Sequence, residues 1–163
     1  MKIKSITLIL TLILCISIAS SAQDLLPTST TGQIVRHTYY TLSYSEKDEQ
    51  AEWVYYELTP ASITGKQKRK GVFRQDSLIT TISAQPEDYL HSGYDLGHLC
   101  PAGDMKLNHT SMSESFLMSN MSPQKPTFNR GIWKKLETKV RKWAITEGRL
   151  YVVTGGVLTS NLG

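Results

Sequence analysis

Three linked stretches decide how this chain is read: DLGHLCPAGDM from Asp95 to Met105, NMSPQ from Asn120 to Gln124, and FNRGIWKKLE from Phe128 to Glu137. Pro86, Gly93 and Gly97 interrupt any long element before the first, so His98 is expected at a strand edge or on a connecting turn. Ser111 followed by Glu114 has the spacing of a capping box, and the apolar run Phe116-Leu117-Met118 behind it reads as a strand ending at Asn120. Pro123 and Pro126 then predict an extended loop. Beyond Asn129 the apolar positions Trp133, Leu136, Val140, Trp143 and Ala144 recur at three- and four-residue intervals, which predicts a helix with one buried stripe. Gly148 supplies its stop, and Leu150 to Val153 reads as a buried strand.

The polar residues in these stretches form a chemically coherent set. Hydrolysis of a phosphodiester needs a base for water, a hard cation on phosphate oxygens, and positive charge where negative charge accumulates. His98 is the candidate base, since an imidazole keeps a lone pair near neutral pH. Asn129 is the candidate metal ligand: Mg²⁺ prefers oxygen and retains most of its waters, so a single amide oxygen suits it, with Mn²⁺ as another acceptable divalent cation. Glu137 is placed to order metal-bound water, and Arg141, four residues on and on the same helix face, to stabilise phosphate or leaving-group charge. Asp95 and Gly97 position the His98 box, and Asn120 orients the site or contacts phosphate.

In this order the residues resemble the DNA/RNA non-specific endonuclease family, a ββα-metal group within the His-Me finger nucleases. Asp95, Leu96, Gly97 and His98 align with its D-R-G-H box, Cys100 and Pro101 with the step after it, and Asn120, Pro123 and Gln124 with N-x-x-P-Q. Asn129 falls on the family's metal-binding Asn, Trp133 and Glu137 on W-x-x-x-E, and Arg141 on its helical Arg. The resemblance implies an α+β fold, a mixed and mainly antiparallel sheet with a ββα-metal core. It also implies one Mg²⁺, a His general base and cleavage of both DNA and RNA. Leu96 stands where the family most often carries Arg, removing one cation from the expected site. Family domains usually continue beyond the point reached at Gly163, so residues 32–163 are expected to be a domain incomplete at its C-terminus, with a sheet edge open to self-association or a partner chain.

The start of the chain carries a different message. Lys2 and Lys4 precede an apolar run from Ile6 to Ile18 and small residues ending at Ala22, the pattern of a signal peptide over residues 1–22. The run falls short of the ~20 apolar residues needed to span a bilayer, so a secreted or periplasmic product without stable membrane insertion is expected. Leu14 before Cys15 argues against lipidation. Cleavage after Ala22 removes Lys2 and Lys4, leaving 16 basic residues against 14 acidic ones and lowering the formal charge from +4 to +2. One cysteine, Cys100, then remains, which excludes an internal disulfide, and paired C-x-x-C zinc spacing is absent.

Residues 23–31 read as a flexible leader, Thr38–Ser45 and Glu52–Thr59 as strands, Pro60–Gly71 as a turn or loop, and Asp76–Ser83 as ambiguous. Two basic clusters, around Lys66 to Arg74 and Lys134 to Lys142, fit a polyanion. From the first, Arg69, Lys70 and Arg74 are the candidate substrate contacts. DNA and RNA are the expected substrates. The competing readings are an inactive nuclease remnant that binds nucleic acid, a secreted interaction domain, and an exported phosphatase. A lone Asn without a carboxylate cluster disfavours the last.

Overall fold

The computed structural model describes residues 25–28 and 30–159, so the expected signal peptide over residues 1–22 lies outside the described residues. Strands β1 (Gln33–Arg36), β2 (Thr41–Ser45), β3 (Gln50–Leu58) and β6 (Leu150–Thr154) form an antiparallel sheet in the order β1-β2-β3-β6. A β-bulge sets which side chains reach the core. Ser43 pairs with Trp53 but Tyr44 with Ala51, leaving Glu52 as the extra residue. Ala51 therefore shares the core face with Val54, Tyr56 and Leu58, whereas Trp53 faces the other way and donates from Nε1 to the Thr30 hydroxyl at 3.1 Å. Glu52 accepts hydrogen bonds from the amides of Thr31 and Gly32, so the end of the leader is tied to the sheet.

Between β3 and β6 the chain makes a second, two-stranded ribbon and its helices. β4 (Asp95–His98) pairs antiparallel with β5 (Met121–Gln124), placing His98 opposite Met121 and Leu96 opposite Pro123. The helices are α1 (Pro60–Thr64), α2 (His109–Glu114), α3 (Pro126–Phe128) and α4 (Lys134–Glu147), with α3 and α4 joined through a wide π turn at Asn129–Trp133. This is the α+β arrangement expected, with β4, β5 and α4 as its ββα unit. Leu99 and Cys100 after β4, Met105, and Val140 and Ala144 of α4 pack on the sheet face around Tyr44, Val54, Tyr56 and Leu58. The core thus clamps the ribbon and α4 in one orientation.

Several local expectations are corrected. Pro60–Thr64 is a short helix rather than a loop, because Thr59 and Ser62 close a capping box around Pro60. The box expected at Ser111 and Glu114 is instead Asn108 with Ser111, one turn earlier. Phe116-Leu117-Met118 makes a turn, and the strand follows Asn120. Pro123 belongs to that strand: the missing N–H is tolerated because a two-stranded ribbon has an open side to each strand. Helix α4 buries Ala144 fully and Val140 partly, while Leu136 and Trp143 are 44% and 46% exposed. The inward face of α4 is narrower than the predicted stripe and is shared by Glu137 and Arg141, which are half-buried beside Val140 and Ala144. β6 is half-buried, with Tyr151 and Val153 facing outward.

Candidate active site

His98 ends β4 and is held from both sides. Its carbonyl accepts from Trp133 Nε1 at 3.3 Å, and its ring lies against Phe116 edge-on at 5.2 Å and Phe73 at 5.8 Å. Gly97 is required beside it, since a Cβ there would lie 2.2 Å from the Gln124 side chain that crosses from β5. Behind the strand, Asn120 accepts from the Cys100 amide at 2.8 Å and donates to the Cys100 and Ser115 carbonyls, both at 2.9 Å. Asn120 is fully buried, so the contact with phosphate is corrected: its amide braces the backbone that carries the base.

Burial, with a smaller push from the Arg69 charge, lowers the His98 pKa from the usual 6.5 to about 3. The imidazole is neutral, and its Nε2 is buried with no hydrogen-bond partner. Such an orphan atom is costly unless it serves something. His98 borders a cavity of about 510 Å³ that Asn129, Glu137 and Arg141 also line, together with Arg69, Lys106, Arg130 and Lys134. Lys70 is exposed outside this lining, and Arg74 turns to the carbonyls of Val72 and Ser113, so neither stands in the cavity as a substrate contact.

Asn129 begins the π turn and not the regular helix, which lets its side chain meet the ribbon. Its Nδ2 donates to Asp95 Oδ2 at 3.0 Å, and Arg130 Nε donates to the same oxygen at 2.8 Å. A carboxylate only accepts, so this bond fixes the amide's orientation and leaves Oδ1 as the atom available to a cation. The two donors hold the Asp95 pKa below the ordinary carboxylate range. Among the described residues no three His, Cys, Asp or Glu side chains gather to hold an ion. A divalent cation here would therefore rest on the Asn129 amide oxygen and water, which suits Mg²⁺. Glu137 stands one face of α4 away, its pKa raised by burial and pulled back by Arg141. Arg141 donates to Asp104 Oδ1 at 2.7 Å and lies 3.8 Å from Glu137 Oε2.

Sequence reasoning passed over Asp104, Lys106, Arg130 and the aromatic pair around His98. Asp104 was legible as an acid between the apolar residues Ala102 and Met105, and Arg130 as the cation beside Asn129. Leu96 packs with Ala84, Met118 and Met121 and does not line the cavity, so the position expected to carry a cation makes apolar contact instead.

A ββα unit that sets an unpartnered imidazole against an amide, a carboxylate and several cations defines the ββα-metal nuclease class. The chain belongs to the DNA/RNA non-specific endonuclease family, which residues 19–163 match. It is 37% identical over 145 residues to a nuclease of Syncephalastrum racemosum, covering 84% of this chain and 45% of that protein. It is 32% identical over 126 residues to human mitochondrial endonuclease G, covering 76% of this chain and 42% of that protein. The chain thus spans less than half the length of these relatives. A solved EndoG/EndoGI complex superposes with a TM-score of 0.73 at 34% identity, over 79% of this chain and 55% of that one.

Proposed function

We propose that the chain is an exported, Mg²⁺-dependent, sugar-non-specific endonuclease that hydrolyses phosphodiester bonds in DNA and RNA, with His98 as general base. The observation that carries this reading is the buried, unpartnered Nε2 of His98 on a cavity lined by Asn129, Glu137 and five cationic side chains. His98 Nε2 takes a proton from water as the water oxygen attacks phosphorus, and the bond to the 3′ oxygen breaks, the departing oxygen taking a proton from solvent to leave as a hydroxyl. Burial keeps the imidazole neutral with its lone pair free, and the charge of an incoming phosphate raises its basicity toward the water proton. Asn129 Oδ1 would hold the cation, which when bound supplies positive charge to the phosphate and the leaving oxygen. Glu137 orders water on the helix side, and Arg141 offers its free N–H groups to phosphate. Contacts to phosphate carry no sequence information, in keeping with cleavage of both sugars.

Cleavage of supercoiled plasmid by the purified protein, with Mg²⁺ and with EDTA, tests this beside His98→Ala. Nicking that needs metal and falls by at least about 100-fold in the variant is the expected result. A folded chain that binds DNA without nicking it would favour the binding-only reading, which Leu96 in place of a cation supports. Equal rates in the variant would remove His98 as base. Export rests on residues 1–22, and a mature N-terminus at Gln23 in the extracytoplasmic fraction is its expected signature.

A further inference from the structure

We infer that Gly103, Asp104 and Tyr56 form a cradle that positions Arg141, holding it off Glu137 and presenting it to the cavity. The inference rests on the nuclease reading for what Arg141 does there. Asp104 closes the short turn Ala102–Asp104 and is 1% exposed, a burial that an anion tolerates only with strong partners. It has two. Arg141 Nη1 donates to Oδ1 at 2.7 Å, and the Tyr56 hydroxyl, reaching from β3, donates to Oδ2 at 2.9 Å. Gly103 gives the guanidinium its path: the nearest atoms to a Cβ there would be Arg141 Nη1 at 2.9 Å and Cζ at 3.3 Å.

The alternative partner shows what the cradle accomplishes. Glu137 is one turn back on the same helix, where an Arg side chain ordinarily folds onto a carboxylate. Here the two form an ion pair at 3.8 Å, too long for a hydrogen bond, while Arg141 makes its short bond to Asp104 across the turn. Glu137 keeps its oxygens for water, and Arg141 keeps N–H groups for phosphate. Losing the cradle lets the two close to hydrogen-bond distance and occupy each other's polar atoms. Asp104 and Tyr56 do not line the cavity, so they act through Arg141 and are positioning residues.

The test places Gly103→Ala, Asp104→Asn and Tyr56→Phe in the wild-type chain and in an Arg141→Ala chain, reading kcat and KM for plasmid cleavage with Tm alongside. Tyr56→Phe leaves Asp104 its Arg partner and Gly103→Ala leaves the Asp104 carboxylate and its Tyr56 bond in place, so both report even if Asp104→Asn fails to fold. Gly103→Ala and Asp104→Asn are expected to lower kcat by about 10- to 100-fold with little change in KM. In the Arg141→Ala chain each of the three should change the rate by less than about twofold, as residues acting through a common partner do. Wild-type kcat in both Gly103→Ala and Asp104→Asn, or losses that multiply with that of Arg141→Ala, would overturn the inference. If the wild-type chain cuts nothing, the nuclease reading falls on its own. The cradle is then judged by ¹⁵N NMR, where slowly exchanging Arg141 Nη protons that vanish in Asp104→Asn support it and identical spectra overturn it.

Discussion

Enclosing His98 between Phe73 and Phe116 keeps its ring neutral, and this has a cost that appears in acid. The unfolded chain takes up a proton near the usual 6.5, while the folded chain resists until about 3. Stability contributed by the neutral ring is complete above about pH 6.5 and is lost as pH falls, at about 1.4 kcal/mol per unit. Between pH 6.5 and 5, denaturant melts should show about 2 kcal/mol of acid destabilisation, absent from the same comparison in His98→Gln. Parallel slopes in the two proteins would show that the ring is not desolvated. For Asn129, the bond from Nδ2 to Asp95 predicts that Asn129→Ala and Asp95→Ala both raise the Mg²⁺ concentration for half-maximal cleavage by about 10- to 100-fold. An unchanged Mg²⁺ titration would sink that role. That His98, Asn129, Glu137 and Arg141 would border one cavity was legible from their order along the chain. Asn120 was not, because whether an amide faces a cavity or the backbone behind it depends on strands it does not belong to.

Elements convert that order into a site through two irregularities. The π turn at Asn129–Trp133 inserts an offset between the metal-ligand candidate and the helix carrying Glu137 and Arg141. Leu136, expected in the core, is 44% exposed, and the inward positions beside Val140 are the charged pair Glu137 and Arg141. The second is Gly97, over which Gln124 lies. Gly97→Ala should cost about 1–3 kcal/mol in thermal or denaturant unfolding, from forced displacement of the paired strand, and should lower nicking with it. Full stability in that variant would mean that β4 and β5 can part without consequence. Gly148 behaved as its position predicted, ending α4 with φ at +78°.

Across the whole molecule the net charge is slight, and the charge that matters is local. Arg69, Lys106, Arg130, Lys134 and Arg141 come from three separate segments to border one cavity. Binding of an oligonucleotide to the non-cleaving His98→Ala protein should weaken linearly in log–log salt, and Lys134→Ala should reduce that slope by about 1 for duplex DNA. A slope unchanged by Lys134→Ala would move the phosphate path elsewhere. Local chemistry, written in consecutive residues, was determined by the sequence alone: the β2 and β3 strands, the glycine stop of α4, and the ordered His98, Asn129, Glu137 and Arg141. Only tertiary structure decided that Asp104 holds Arg141, that Arg74 and Lys70 stay out of the cavity, and that Leu136 faces water. Those outcomes depend on where separate segments meet. Burial against a sheet and a hydrogen bond across 37 residues leave no periodic trace in the chain that makes them.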